Sequence, residues 1–575
     1  MKERTRTRRK EKPVKGADLV IQCLLRAGVD TIFAYPGGQS IELHQALSRV
    51  RDRLRVILPR HEQGGAFAAV GYARATGRTG VCMATSGPGA TNLITGIADA
   101  CVDSVPTVFI TGQVPLSFIG KNAFQETDVI GITRPIVKHS FLVLDIEELP
   151  RIMDDAFRLA NSGRPGPVVV DIPKNIQQAE TVPVFPAEAH GIEYEAIHPP
   201  VRESDVEAVR KLIARSHRPC ICAGGGIISA RASEELTAFA RAYNIPVTTT
   251  LLGIGAFPDD DPLSLSWLGM HGSYAANYAA NECDLLLTFG ARFDDRVTGP
   301  TETFASDAVI VHVDIDLSEI NKNKRASLGI VADIRDFLRG LNRNPVRKNC
   351  SEWFAMIRNW QKAHPFRTYR KTRALQPQHI LETLSRLTGG EAVIVPGVGQ
   401  HQMWAAQYCR FPAPRRLLTS GGLGAMGFGL PAAMGAKVAC PERTVVDVDG
   451  DGSFQMNIQE LATLHAENIG VKIVILNNQY LGMVAQIEDR FYHSNRGNTE
   501  LINRRAKGYY PDFVAIAKGY GIPALAVTKR AEVEPALRTM LETEGPFLLD
   551  CRIVYGEHVL PMIPPGMTYR DIITE

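Results

Sequence analysis

Residues 444–483 read TVVDVDGDGSFQMNIQELATLHAENIGVKIVILNNQYLGM, and this stretch decides the fold. The apolar, β-branched run Thr444 to Val448 predicts a buried parallel strand. It breaks at Gly450-Asp451-Gly452-Ser453, where two glycines let the backbone turn sharply and a serine can cap the helix that follows. Ile458, Leu461, Ala462 and Leu464 have the spacing of that helix. A second buried strand, Val471 to Leu476, ends at Asn477-Asn478. Asp451 and Asn478 are therefore 478 − 451 = 27 positions apart, at the carboxyl ends of two strands joined by one right-handed crossover. In an open α/β sheet that edge binds ligands. One carboxylate and one amide oxygen suit a hard cation such as Mg²⁺. The positive end of the helix and bare glycine N–H groups favour a diphosphate beside it.

A bare GDG is equally an ordinary strand–turn–helix; the Asn-Asn at the next strand end separates the two readings. GDG followed by NN resembles the cofactor motif of thiamine-diphosphate-dependent enzymes. The resemblance implies Asp451, Asn478 and the backbone carbonyl of Tyr480 as Mg²⁺ ligands, with Gly450, Gly452, Ser453 and Met483 on thiamine diphosphate.

At 575 residues the chain exceeds a single core, and length allows roughly three to four domains. Apolar residues at 45% and charged residues at 22% describe an ordinary globular protein, and a net charge of +3 decides nothing about acidic partners. The one dense basic stretch, in residues 1–15, reads as a solvated, disordered arm rather than a nucleic-acid contact. No run of 18 apolar residues predicts a membrane helix, and the arm lacks the apolar segment of a secretory signal. Ten cysteines lie scattered, apart from Cys220-x-Cys222, without metal spacing. The expectation is a cytoplasmic protein.

Before residue 180, strands and helices alternate, and every special cluster follows a strand. These clusters are Tyr35-Pro36-Gly37-Gly38, Pro59-Arg60-His61-Glu62, Thr85-Ser86-Gly87-Pro88-Gly89 and Gly112-Gln113. Such repetition means a parallel, doubly wound sheet with its clusters converging on one rim. A lone Glu62 is most often a helix-start charge. Its setting, RHEQG followed by GYARATGRTGVCMATSGPGATN (71–92), strongly resembles the large catalytic subunit of the acetolactate synthase (acetohydroxyacid synthase) family. There the equivalent Glu bonds the pyrimidine ring and promotes the imino tautomer whose nitrogen makes the ylid. Gly37 and Gly38 form either a plain turn or a close backbone approach in which Gly38 offers an oxyanion donor. FIGKNAFQE (118–126) resembles the family's loop over the active site, with Phe124 and Gln125 at its matching positions and Lys121-Asn122 in place of the usual Thr-Asp. Resemblance also places Arg164 near a flavin and Lys174 near the active site.

Residues 181–200 read as a proline-containing linker, and a second α/β unit follows. Its strand ends carry Gly224-Gly225-Gly226, Gly290-Ala291-Arg292, Asp314-Ile315-Asp316 and Asp333. Asp314, Asp316 and Asp333 are either partners for ribose hydroxyls or strand-end turn residues. LGMHG (268–272) and GARFDDRVTG (290–299) match the family's FAD-contacting segments. That match implies Leu268, Met270, His271, Gly290, Arg292, Asp294, Arg296, Val297, Asp314, Ile315 and Asp333 as FAD neighbours, along with the three glycines. The flavin is expected to be structural or ancestral rather than a hydride carrier, because carboligation has no net redox change.

Residues 341–374 read as a second linker with some helix. GVGQHQMWAAQ (397–407) is nearly identical to the family segment beside the diphosphate, implying Val398, Gly399, Gln400 and His401 as contacts. SGGLGAMGFG (420–429) resembles the loop in which Gly424 and a large apolar residue, here Met426, bend the cofactor. GMVAQIEDRFYHSN (482–495) departs from the family at Ile487, where Trp is usual and shapes the pocket for 2-oxobutyrate. HVLPMIPPG (558–566) matches the family tail.

The expectation is three doubly wound parallel-sheet α/β domains: 16–180 for the pyrimidine, 200–340 for FAD and 375–555 for diphosphate and Mg²⁺, with a tail over 556–575. The implied activity decarboxylates pyruvate and ligates the two-carbon unit to pyruvate or 2-oxobutyrate, the first common step of branched-chain amino-acid biosynthesis. A homodimer or tetramer with interfacial sites and a regulatory small subunit are the implied partners. The alternatives are a related carboligase or decarboxylase with another 2-oxoacid preference, and a flavin-binding subunit without catalysis.

Overall fold

The computed structural model describes residues 12–193, 198, 200–368, 372–505 and 508–575. The chain divides into two compact units, one up to residue 196 and one from residue 197. Residues 1–11 of the expected arm lie outside the described residues. Val14–Lys15 pairs antiparallel with Glu180–Thr181, which draws the end of that arm into the fold.

The first unit holds six parallel strands in the order Arg55–Ile57, Thr31–Ala34, Gly80–Ala84, Thr107–Gln113, Pro167–Pro173, His139–Leu142. Thr107–Gln113 and Pro167–Pro173 are buried along their whole length, as strands covered by helices on both faces must be. Leu149–Asn161 shows how the cover is built: Leu149, Ile152, Met153, Ala156, Phe157 and Ala160 make one buried stripe at helical spacing. Winding reverses between Thr31–Ala34 and Gly80–Ala84, and the crevice at such a reversal is where doubly wound sheets take ligands.

The second unit holds two sheets. The first runs Ser264–Trp267, Val247–Thr249, Pro219–Ala223, Leu285–Phe289, Val309–Asp314, Leu328–Val331, all parallel. In chain order this is the 3-2-1-4-5-6 arrangement of dinucleotide-binding sheets. The second runs Val393–Pro396, Val445–Gly450, Lys472–Asn477, Phe547–Arg552, Ala524–Val527, again parallel. Val446, Val448, Val474, Leu476, Leu549 and Cys551 share one core beneath it. The chain is thus built on three doubly wound parallel sheets, as the sequence predicts.

Two local expectations are corrected. The helix after GDG is not continuous: Asp451–Phe454 is one helical turn, Gln455–Asn457 is a 3₁₀ turn, and Glu460–Ala466 is the helix proper. Ser453 does not cap it, because Ser453 lies inside the first turn and its hydroxyl accepts from Gly427 N at 3.0 Å. The glycine loop 420–429 competes for that hydroxyl and wins. Within the second linker, Ser351–Ala363 is a full helix anchored by buried Trp353 and Ile357.

Candidate active site

The rim of the first unit is assembled from four strand ends. Glu62 opens the helix Glu62–Thr76, whose N-cap is His61; Nδ1 of that ring accepts from Gln63 N at 3.1 Å. Asn92 Nδ2 donates to Glu62 Oε2 at 3.0 Å, which fixes the carboxylate and leaves it half-buried. The turn at Gly37 has no room for a side chain, since a Cβ there would lie 2.4 Å from Thr85 Cγ2. Gly38, by contrast, faces open space. Gln39 N donates to Thr85 Oγ1 at 3.2 Å and Lys174 Nζ to Gly38 O at 3.2 Å, so three strand ends fasten this turn. Gln125 sits against the same cluster: a Cβ on Gly87 would be 2.9 Å from Gln125 Cα. Phe124 is 85% exposed. Glu62, Gly38, Gln125, Phe124 and Lys174 therefore lie along one edge of the sheet. Arg164 does not join them; its Nε donates to Ser104 Oγ at 2.8 Å and its Nη2 to Val102 O at 3.3 Å.

The rim of the last sheet is drier. Asp451 is 1% exposed and its Oδ2 has no hydrogen-bond partner. Burial pushes its carboxyl up to about 7 against the opposing backbone N–H groups of Asp451, Asn478 and Gln479. Asn478 stands beside it with its amide oriented: Nδ2 donates to Gln400 Oε1 at 3.2 Å and Oδ1 accepts from Tyr480 N at 3.0 Å. An amide oxygen has two lone pairs, so Oδ1 keeps one for a ligand. A buried carboxylate oxygen without a donor is costly, and a hard cation supplies what is missing. Asp451 and Asn478 fit Mg²⁺ on these grounds.

Beneath them lies a second acidic layer. Asp447 and Asp449 are fully buried, and burial, with Asp449 adding, pushes the Asp447 carboxyl well above its usual range. His401 Nε2 lies 3.2 Å from Asp449 Oδ1, without the angle of a hydrogen bond. A Cβ on Gly450 would meet His401 Nδ1 at 2.6 Å, so the histidine lies directly under the GDG turn. Met426 reaches the same turn, with Cε 3.7 Å from where a Gly452 Cβ would be. Val398 and Gly424 meet at 3.9 Å by the same measure. Met483 is half-buried against the sheet's core.

The central sheet brings its expected residues to one rim. A Cβ on Gly224 would lie 2.0 Å from Gly290 O, so the two turns interlock at the winding reversal. Gly224 N and Gly226 N donate to Phe289 O at 2.9 Å and Gly290 O at 3.1 Å. The glycines thus serve close packing first, and those two N–H groups are engaged within the protein. Gly290 N donates to Val313 O at 3.0 Å, one residue before Asp314. Asp314 accepts from Asp316 N at 2.9 Å, Asp294 from Arg296 N at 3.1 Å, and Asp333 caps Ile334–Asn342 through Asp336 N at 3.0 Å. Met270 N donates to Arg296 O at 2.9 Å, which joins the 268–272 and 290–299 segments beside buried Leu268 and Val297. Arg292 O accepts from Asn323 Nδ2 at 3.0 Å, and Ile315 is half-buried beyond Asp314. The strand order fits a dinucleotide such as FAD.

Residues 14–132 match the thiamine pyrophosphate enzyme N-terminal TPP binding domain, residues 206–341 the central domain, and residues 397–551 the C-terminal TPP binding domain. "Acetolactate synthase 1, chloroplastic" of Oryza sativa subsp. japonica is 54% identical over 571 residues, 98% of this chain and 88% of that protein. "Acetolactate synthase, chloroplastic" of Arabidopsis thaliana is 52% identical over 577 residues, 98% of this chain and 85% of that protein. The chain belongs to the acetolactate synthase family. It is a thiamine-diphosphate-dependent acetolactate synthase catalytic subunit.

These relatives overturn one expectation: their names place them in chloroplasts, so the cytoplasmic assignment is withdrawn. Its physical basis was weak, because plastid transit segments lack the apolar core of a secretory signal. Among the described residues no helix is long and apolar enough to cross a membrane.

Sequence reasoning missed how this acetolactate synthase fastens its tail. Gln400 Nε2 donates to Gln486 Oε1 at 2.9 Å and Glu557 O at 3.3 Å, so its side chain orients Asn478 and the tail. Gln486 exchanges two bonds with the Val559 backbone, at 2.7 and 3.1 Å. Gln407 Nε2 donates to His271 O at 3.0 Å and Leu560 O at 3.2 Å, and Ile563 N to Met270 O at 2.8 Å. The His271 ring, its pKa lowered to about 4 chiefly by burial, meets Pro561 O at 3.2 Å through Nδ1. The three glutamines within GQHQMWAAQ and beyond were the only signal, and nothing in sequence says which backbone a glutamine will bind. Asn92, the partner of Glu62, was hidden in the same way.

Proposed function

We propose that this acetolactate synthase condenses two small 2-oxoacids, with pyruvate as donor and pyruvate or 2-oxobutyrate as acceptor, at a site completed by Mg²⁺ and shared between two copies of the chain. Thiamine diphosphate, when bound, supplies the electron sink that decarboxylation and carbon–carbon bond formation require. The orphaned Asp451 Oδ2 beside the oriented Asn478 amide carries this reading. Asp451, Asn478 and the Tyr480 carbonyl would hold Mg²⁺, with Gly450, Gly452, Ser453, Val398, Gly399, Gln400 and His401 around the diphosphate.

Glu62 holds a proton at the pyrimidine ring nitrogen, and Asn92 keeps that carboxylate aimed. Met426 and Gly424 would support the coenzyme beside the GDG turn, and Met483 would border it. Gly38 offers a backbone N–H to the substrate oxygen, while Phe124, Gln125 and Lys174 line the approach. FAD would occupy the central sheet through Gly224–Gly226, the 268–271 and 290–297 segments, Asp314, Ile315 and Asp333; its role is structural. The proposed domain limits are 16–180, 200–340 and 375–555, a reading supported by one parallel sheet falling within each. A regulatory small subunit is the further partner, and Ile487 shifts acceptor choice away from the larger 2-oxoacid.

The test is product analysis with pyruvate alone and with pyruvate plus 2-oxobutyrate, after addition of thiamine diphosphate, Mg²⁺ and FAD. Acetolactate as the main product supports the reading. Free acetaldehyde as the main product would favour a decarboxylase instead.

A further inference from the structure

Asp171 lies in the interior of the strand Pro167–Pro173, 1% exposed, and has no part in the site described above. Its Oδ1 accepts the Thr111 hydroxyl at 2.6 Å and its Oδ2 accepts Gln113 Nε2 at 2.9 Å. The same Gln113 nitrogen donates to Thr127 O at 2.9 Å, and Gln113 Oε1 accepts from Val114 N at 2.8 Å. Both faces of this carboxamide are therefore committed, and the acid decides which way it points. A buried amide with its nitrogen on two acceptors and its oxygen on a backbone N–H cannot turn over without leaving groups unpaired.

Thr127 stands two residues after Gln125. The loop before it has little else to hold it. Phe124 is 85% exposed and Phe118 51%, so neither aromatic anchors the loop in the core. Gln125 is held at φ 61°, in the left-handed region that a side chain rarely adopts. Glu126 ties the loop only to itself, through Gly120 N and, at 2.8 Å, Ala123 N. The loop's seat is thus the approach of Gly87 at one point and the Gln113–Thr127 bond at the other. A strained residue keeps its conformation only where its surroundings over-determine it. Burial pushes the Asp171 carboxyl up to about 7, while the Thr111 and Gln113 bonds pull the other way and Asp128 adds to the rise.

We propose that Asp171 is a positioning residue: through Gln113 and the Thr127 carbonyl it latches the loop that presents Phe124 and Gln125 at the rim. This deepens the proposed function and rests on that loop's place in it.

The test compares hydrogen exchange of backbone amides 120–127 in the full chain with steady-state kinetics and thiamine diphosphate affinity. Asp171→Leu and Gln113→Leu each remove the latch, and Thr111→Val removes a bond to the same acid without touching it. Exchange over 120–127 should rise about tenfold in both leucine variants and not in Thr111→Val, as loss of the one hydrogen bond to the Thr127 carbonyl predicts. The double variant should add nothing further, since the two residues act as one unit. kcat should fall with the loop while the coenzyme Kd stays the same. Unchanged exchange in Gln113→Leu, or an equal rise in Thr111→Val, overturns the proposal. If Asp171→Leu does not fold, Asp171→Ala takes its place, with the same expected rise and with unchanged exchange overturning the proposal. Exchange is read without reference to product, so a failure of the latch is distinct from a failure to form acetolactate.

Discussion

The rim of the first sheet and the rim of the last share one architecture and differ in solvation. At the first, Glu62 is half-buried, opens a helix and has a neutral amide, Asn92, as its partner. At the last, Asp447, Asp449 and Asp451 are stacked in a dry layer, with oxygens of all three lacking hydrogen-bond partners. A carboxyl that must exchange a proton needs a donor near it and access to water. A carboxyl that must hold a divalent ion is best kept without competing donors. On the proposed roles, the same parallel strand end serves proton handling or cation binding according to its burial and the neighbour it is given.

The sharpest way to break this contrast is Glu62→Gln. It keeps the Asn92 contact and removes the titrating group, and kcat should fall about 10²–10⁴-fold, the range for losing a general acid–base group. Coenzyme and Mg²⁺ affinity, measured by quenching titration, should hardly move.

Next is Asp451→Ala, which should weaken Mg²⁺-dependent coenzyme binding by about 100-fold or more, with chelation of the wild type giving the same loss and added Mg²⁺ restoring only the wild type. Because burial holds the metal-free Asp451 carboxyl up to about 7, Mg²⁺ must displace a proton there. Mg²⁺ affinity should therefore rise as pH climbs from about 6 to 8 and level off above. A flat profile would mean that Asp451 is already ionised.

The contrast is then sharpened at the tail that secures the last rim. His271 is buried and its pKa is lowered from 6.5 to about 4. The unfolded chain takes up that proton below about 6.5 and the folded chain resists it, so stability drops as pH falls through this window, by about 3 kcal/mol at most. His271→Gln should flatten that part of the profile, read from urea midpoints at pH 7 and 4.5. The smallest effect is expected at Ile487, half-buried on Gly482–Phe491. Ile487→Trp should move the product ratio towards 2-oxobutyrate by about tenfold, the scale of a reshaped apolar pocket.

Much of this molecule was legible before its structure. Buried β-branched runs such as VVVDI in 168–172 and KIVILN in 472–477 mark parallel strands by composition alone, and ligand residues cluster after them because strand ends form the rims. What stayed hidden depends on long-range pairing. Asp171 looks like an interruption in an apolar strand, and only the adjacency of Thr107–Gln113 gives it Thr111 and Gln113. Gln400, Gln407 and Gln486 look like solvated polar positions, yet each ties the tail in place. The single helix expected after GDG is interrupted by the 3₁₀ turn Gln455–Asn457, and Ser453 bonds Gly427 N instead of capping it. Periodicity reports the faces of elements; it does not report which side chains from distant elements meet.

The central claim is that Glu62 and the Asp451–Asn478 pair serve one coenzyme, contributed by two copies of the chain. The most direct test mixes Glu62→Gln with Asp451→Ala, each inactive alone, after dissociation and reassociation. A mixed two-fold dimer then contains one intact site and one doubly damaged site, and random pairing predicts recovery of about one quarter of wild-type activity. A mixture as inactive as its components, with mixed dimers shown to be present, would contradict the claim.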